Sequence, residues 1–156
     1  MNQTFYGSTA CYLFKDDKIL FIKFSKKWGQ IYSPPGGKID NGETPTECII
    51  REFKEETGLE LINPTLKGIS YWHKKDSGII FIYIAKEFSG KLEEDTQEGK
   101  LFWFTKEESR NIRQFPMNEL FFDYLFEKEM FEGKFLYDEN DMVVPEKVIS
   151  HSLRKI

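Results

Sequence analysis

The stretch from residue 44 to residue 58 constrains this chain more than any other. Thr44 suits a helix N-cap, Pro45 suits the first helical position, and Glu47 completes a T-x-x-E capping box. Gly58 suits the position just past the helix end, so the spacing predicts a helix over residues 45–57. On that helix Ile49, Ile50 and Phe53 share a sector that can face a core, while Lys54 and Glu47 point away. Glu52, Glu55 and Glu56, at i, i+3 and i+4, fall within a sector of about 100° and form an acidic edge beside the apolar stripe. Neighbouring carboxylates repel one another. As a bare pattern this suits a solvated helix face. It also suits a site for a hard divalent cation, which takes oxygen ligands.

Around this helix the pattern is mostly extended. Residues 9–14 and 19–24 read as strands joined by a hairpin turn at Lys15-Asp16-Asp17-Lys18. Ile31-Tyr32-Ser33 reads as a short strand, and Pro34-Pro35-Gly36-Gly37 as a loop. Residues 66–73, 78–86 and 100–105 read as strands, rich in β-branched and aromatic side chains. Residues 118–131 show apolar spacing of three and four and read as a second helix. Residues 134–137 read as a last short strand. Residues 143–153 read as a terminal helix that Pro145 opens. Mixed strands with two helices predict an α/β fold in α/β/α layers, and 156 residues suit a single domain over 1–156.

Composition excludes several classes. No apolar run approaches the ~20 residues of a membrane span. Nothing at the start reads as a signal peptide. Cys11 and Cys48 sit in apolar stretches without a CxxC or a His pair, which predicts buried, reduced thiols and a cytoplasmic setting. A net charge of −4 argues against a stable nucleic-acid partner but not against a nucleotide, because a divalent metal can bridge carboxylates and phosphates. A monomer or homodimer is expected. Trp28, Trp72 and Trp103 are expected to be packing anchors rather than base platforms, and His73 and His151 carry no partner pattern.

The loop before the helix sharpens the cation reading. Glycines at 36 and 37 let main-chain atoms approach a ligand closely, and the Gly36 carbonyl can serve a metal. Arg51 can fix the Glu52 carboxylate with its planar fork, with Glu43 as a second partner. The segment is GGKIDNGETPTECIIREFKEETGL. It resembles the Nudix box: Gly37, five residues, Glu43, seven residues, Arg51-Glu52-Phe53, one residue, Glu55-Glu56, one residue, Gly58-Leu59. Seven fixed positions at ordinary residue frequencies meet by chance on the order of 10⁻⁹ per starting point.

The resemblance implies a Nudix α/β/α sandwich with a mixed sheet, and hydrolysis of a nucleoside diphosphate linked to another group. Carried over residue by residue, Glu52, Glu55, Glu56 and the Gly36 carbonyl become metal ligands for Mg²⁺, or Mn²⁺ in its place. Arg51 orients Glu52. The general base varies in the family between a box glutamate, here Glu52, and an acid on a later loop. A diphosphate is already negative, so metal ions that neutralise its oxygens and acidify water leave a carboxylate only the last proton to take.

Beyond the box the chain is similar to the MutT-type branch, the 8-oxo-dGTP diphosphatases. Glu98 to Phe104 resembles that branch's E-x-x-x-x-W segment and makes Glu98 a candidate second acid. FEGKFLYDEND, residues 131–141, resembles its C-terminal strand. Ser33 stands where some members carry a base-reading Asn, and Asn118-Glu119 near their acid pair. With Gly37 and Lys38 toward the phosphates, these become the candidate substrate contacts. The expected reaction converts a purine nucleoside triphosphate, oxidised or not, to monophosphate and pyrophosphate. Dinucleoside polyphosphate or nucleotide-sugar hydrolysis is the alternative within the class. A non-catalytic nucleotide sensor is the alternative outside it, and the intact acid set argues against a sensor.

Overall fold

The computed structural model describes residues 4–25, 30–138 and 147–156. Strands β1 (Phe5–Lys15) and β2 (Lys18–Phe24) form the expected hairpin, with Lys15 opposite Lys18 and Asp16 at φ 54° in the two-residue turn. Then come β3 (Tyr32–Ser33), β4 (Gly36–Lys38), α1 (Pro45–Thr57), β5 (Leu59–Ile62), β6 (Thr65–His73) and β7 (Ser77–Ala85). The remainder is β8 (Glu87–Gly90), β9 (Gly99–Thr105), α2 (Lys106–Ser109), α3 (Pro116–Phe121), a 3₁₀ turn (Phe122–Phe126), β10 (Phe131–Tyr137) and β11 (Val148–Lys155).

The main sheet runs β11-β10-β6-β7-β1-β2-β3, with β9 along the far side of β2 and β4 beside β1. β1 pairs with β7 in parallel and with β2 and β4 antiparallel, so the sheet is mixed. Alternate residues of the central strands go to opposite faces. Cys11, Leu13, Leu20, Ile22 and Tyr83 pack under α1 with Ile49 and Phe53. Tyr12, Ile19, Phe21 and Ile82 pack under α3 with Met117, Phe121 and Leu125. These two cores on opposite faces are the expected α/β/α layers.

α1 follows the sequence closely. Thr44 Oγ1 accepts from Glu47 N, Glu47 accepts from Thr44 N, and Gly58 closes the end at φ 79°. That left-handed conformation favours glycine.

Three expectations are corrected. Gly36 and Gly37 are not loop but the start of β4, opposite Ala10 and Thr9. A Cβ on Gly36 would stand 2.0 Å from the Thr9 carbonyl oxygen, so only glycine lets β4 lie this close. The helix expected over 118–131 starts at Pro116 and ends as an α-helix at Phe121, tightening into the 3₁₀ turn. Past that turn, buried Lys67 donates to the carbonyls of Glu127 and Glu129, and Phe131 is already in β10 over Gly68. Finally, residues 148–153 form part of β11, not a helix. Register with β10, the Arg154–Glu132 pair at 3.0 Å and the stacking of His151 on Phe135 hold this mostly exposed strand. Pro145 lies outside the described residues, as do Trp28 and residues 139–141.

Candidate active site

The acidic edge is built by pressing the C-terminal half of α1 against β4. Glu56 Oε2 accepts from Gly36 N at 3.2 Å. The Glu52 carboxylate lies over the α-carbon of Gly37, where an added Cβ would be 2.3 Å from its Cδ. Both glycines are therefore contact surfaces for box carboxylates.

Arg51 organises the rest. Its Nε and Nη2 donate to Glu43 Oε2 and Oε1 at 3.0 and 2.6 Å. Nη1 donates to Glu52 Oε1 at 2.9 Å and reaches Glu55 Oε2 at 3.3 Å. Nη2 also meets the Lys38 carbonyl at 3.2 Å and Asp40 at 3.3 Å. The hydrogen bond from Arg51 holds Glu43 down at a pKa of about 2, and the bonds to Glu43 and Glu52 push the guanidinium still higher. One cation thus ties the start of the box loop to two acids of the helix. Cys48 reinforces the joint: Sγ donates to the Lys38 carbonyl at 3.2 Å and lies 3.3 Å from Thr9 Oγ1. Both cysteines are buried and free, and burial pushes the Cys48 thiol up to about 11.

Glu56 is the most perturbed acid. Burial pushes its pKa up to about 8, with Glu52, Glu98 and Glu55 adding to the rise and the Gly36 N–H opposing it. Burial also raises Glu52, against the pull of Arg51. Glu98, distant in sequence, thus joins the field of the box. Its loop is clamped to the end of β2: Ser25 N donates to the Glu98 carbonyl at 3.1 Å, and Thr96 Oγ1 donates to the Gly99 carbonyl at 3.0 Å. A Cβ on Gly99 would meet the Lys23 carbonyl oxygen at 1.9 Å.

The donor set here is carboxylate oxygen crowded with like charge, the chemistry a hard cation satisfies. Among the described residues no three acid, Cys or His side chains converge closely enough to hold an ion. Arg51 draws Glu52 and Glu55 to itself, while Gly36 N–H holds Glu56.

The other expected contacts are dispersed. Ser33 Oγ donates to the Pro34 carbonyl at 3.2 Å. The Lys38 ammonium stands 5.3 Å over the Tyr6 ring, which stacks at 6.1 Å with Trp72. Trp72 in turn lies flat on Gly78, and Trp103 packs against Phe88. Asn118 is 7% exposed; among the described residues the buried side-chain polar atoms left without a partner are Tyr12 Oη and Gln114 Oε1, not its amide. Glu119 is exposed, and its Oε1 accepts from Gln114 N at 3.2 Å. No hydrogen bond among the described residues joins Ser33, Asn118 or Glu119 to the acidic edge. Cavities of about 740 and 300 Å³ lie elsewhere, the first lined by Phe14, Leu125 and Phe126, the second by Ile69, Tyr71 and Ile79.

The NUDIX domain family model matches residues 5–137. The chain belongs to the Nudix family. It is 31% identical over 137 residues to the uncharacterized Nudix hydrolase YvcI of Bacillus subtilis, covering 83% of this chain and 85% of that one. It is 33% identical over 84 residues to the 8-oxo-dGTP diphosphatase of Haemophilus influenzae, covering 53% of this chain and 60% of that relative. The crystal structure of a MutT protein from Bacillus halodurans superposes with a TM-score of 0.86 at 26% identity, over 95% of this chain and 97% of that one. Family and neighbours mark this Nudix protein as a hydrolase of pyrophosphate bonds, with the MutT-like resemblance borne out. Nudix enzymes generally use divalent metals such as Mg²⁺. No helix among the described residues is long and apolar enough to cross a membrane.

Proposed function

We propose that this Nudix domain, taken as a single unit over 1–156, hydrolyses a purine nucleoside triphosphate, oxidised or not, to monophosphate and pyrophosphate. Mg²⁺, with Mn²⁺ as a substitute, is held by Glu52, Glu55, Glu56 and the Gly36 carbonyl. The observation that carries this reading is geometric: the Glu56 carboxylate accepts from Gly36 N and the Glu52 carboxylate fills the space over Gly37, with Glu55 next on the same helix edge. Arg51 answers part of the charge on this edge, and the carboxylate oxygens turned toward the glycine backbone are the donors a hard cation takes.

When bound, a divalent cation there neutralises phosphoryl oxygens and acidifies water. Arg51 keeps Glu52 at the mouth of the site through its 2.9 Å bond, and Glu43 keeps Arg51 in place. Gly37 leaves the space that the Glu52 carboxylate fills. Glu52 or Glu98 takes the proton of the attacking water, and single Gln variants separate the two. Lys38, exposed at the end of β4, offers its ammonium to the outer phosphates. Asn118 reads the base. An amide can donate to and accept from the edge of a base. Ser33 adds a weaker contact. Glu119 supports the Gln114 turn beside Asn118, a holding role that fits its geometry better than direct contact.

The 8-oxo-dGTP diphosphatase name of the Haemophilus relative supports a purine triphosphate. The test is a nucleotide panel with Mg²⁺, comparing kcat/KM for GTP, 8-oxo-dGTP, ATP, CTP, UTP and ADP-ribose. A purine triphosphate is expected to lead. A lead for ADP-ribose or for a pyrimidine would overturn the substrate assignment.

A further inference from the structure

At the turn end of the β1–β2 hairpin lies a cavity of about 740 Å³ that the reaction leaves unused. Its size is that of a small-molecule site, which typically runs from about 300 to 1,000 Å³. It is well removed from the acidic edge. Ala10 of β1 lies opposite Gly36, and Lys15, at the cavity, is five residues further on, about 17 Å of extended chain.

The floor is the outer margin of the α3-side core. Ile19 and Leu125 are buried there, and Phe14, Ile84 and Phe126 are partly exposed. Phe14 and Phe126 meet edge-on, at 88°, and the Lys106 ammonium stands 4.0 Å over the Phe126 ring. With that ring covered by a cation, a flat ligand finds little to stack on. The aliphatic side chains of Ile19, Ile84 and Leu125 suit a flexible chain.

The charges around the floor narrow the ligand further. Lys86 and Lys106 line the cavity, and neither has a carboxylate partner among the described residues. The Lys15 ammonium lies 5.9 Å over the Trp103 ring instead. Glu127 is engaged by Lys155 at 3.5 Å. Asp16 and Asp17, in the hairpin turn, bring two carboxylates to the same cavity. The Lys106 head is set over the floor itself, so an anion entering above Ile84 and Leu125 meets it directly. The turn carboxylates repel a ligand with two or three negative charges more strongly than one with a single charge.

We propose that this cavity binds an aliphatic monocarboxylate, with its chain on Ile19, Ile84 and Leu125 and its head between Lys86 and Lys106. The site is independent of the reaction at the acidic edge, and its test needs neither turnover nor a metal.

The test is an NMR titration of the full chain with decanoate, and with decan-1-ol, decylammonium and butyrate as controls. Decanoate should shift the amides of Phe14, Ile84, Leu125 and Phe126 saturably. Its Kd should be at least tenfold below those of the alcohol and the amine, which lack the anionic head, and of butyrate, which lacks the chain. Lys86→Gln/Lys106→Gln should raise the decanoate Kd about tenfold or more, toward that of decan-1-ol. The same change should leave decan-1-ol binding and Tm close to wild type, since neither lysine makes an ion pair. Shifts that do not saturate, or that fall at Gly36 and Glu56 instead, would overturn the site. So would equal affinity for decanoate and decylammonium, or a decanoate Kd unchanged in the double variant.

Discussion

Arg51 and Glu43 are joined by two parallel bonds, Nε to Oε2 at 3.0 Å and Nη2 to Oε1 at 2.6 Å. This planar pair fixes the guanidinium so that its remaining nitrogen faces Glu52 and Glu55. Bidentate geometry of this kind specifies orientation as well as attraction. Glu43→Gln should keep the fold and lower kcat, because Gln cannot offer two charged acceptors to one guanidinium. Lys at position 51 should not restore the wild-type rate, since an ammonium lacks the fork. Wild-type kinetics in Arg51→Lys would contradict the positioning role.

The same pair gives a pH dependence. Arg51 holds the Glu43 carboxyl at about 2, below its ordinary 4.5. A carboxyl whose folded pKa is lowered contributes stability that is present above 4.5 and is lost as pH falls toward 2. The Tm difference between wild type and Glu43→Gln should therefore be constant near neutral pH and shrink in acid across that window. A difference that grows on acidification would have the wrong sign.

The two box glycines should fail differently. Gly37→Ala puts a Cβ into the Glu52 carboxylate, a movable side chain, so activity should fall by about tenfold or more with the fold kept. Gly36→Ala puts a Cβ against the Thr9 backbone, so the β1–β4 pairing should loosen and Tm should drop by about 5 °C or more. Thermal melts beside rate measurements separate the two outcomes. Equal effects of both substitutions on Tm would argue against the distinction.

Asn118 and Glu119 should also part company. Asn118→Ala removes the amide and should change the purine-to-pyrimidine ratio of kcat/KM by about threefold or more. Glu119→Ala removes the acceptor of Gln114 N and should lower Tm with little change in that ratio. If Asn118→Ala scales every substrate alike, base recognition lies elsewhere.

What the sequence made legible was local. The capping residues Thr44, Glu47 and Gly58 specify α1 through contacts within a few positions, and the structure keeps its bounds. Arg51, Glu43 and Glu52 were readable for the same reason, since one helix and its entry loop carry them. Thr105-x-x-Glu108 repeats the capping-box spacing and could have revealed α2, a helix of only four residues. The rest depended on distant partners. Residues 118–131 carry helical spacing, but the α-helix ends at Phe121, and past the 3₁₀ turn the Glu127 and Glu129 carbonyls bond to Lys67 from a distant strand. β11 lacks apolar alternation because it is an edge strand, defined by its pairing with β10. β5 and β8 are four residues each and stabilise one another. The loop that carries Glu98 is held by Ser25 and Thr96, a clamp that no local pattern announces.

The central claim is that the box acids, with a divalent cation, cleave a diphosphate linkage. The most direct measurement is ³¹P NMR of GTP turnover with Mg²⁺, run on wild type, Glu55→Gln, Glu56→Gln and, as a control, Glu47→Gln. Wild type should give GMP and pyrophosphate, with no turnover in excess EDTA. Glu55→Gln and Glu56→Gln should each lose at least ~10²-fold in kcat. Glu47→Gln keeps the cap and should be near wild type. Full turnover in EDTA, orthophosphate as the product, or wild-type rates in either box variant would contradict the account.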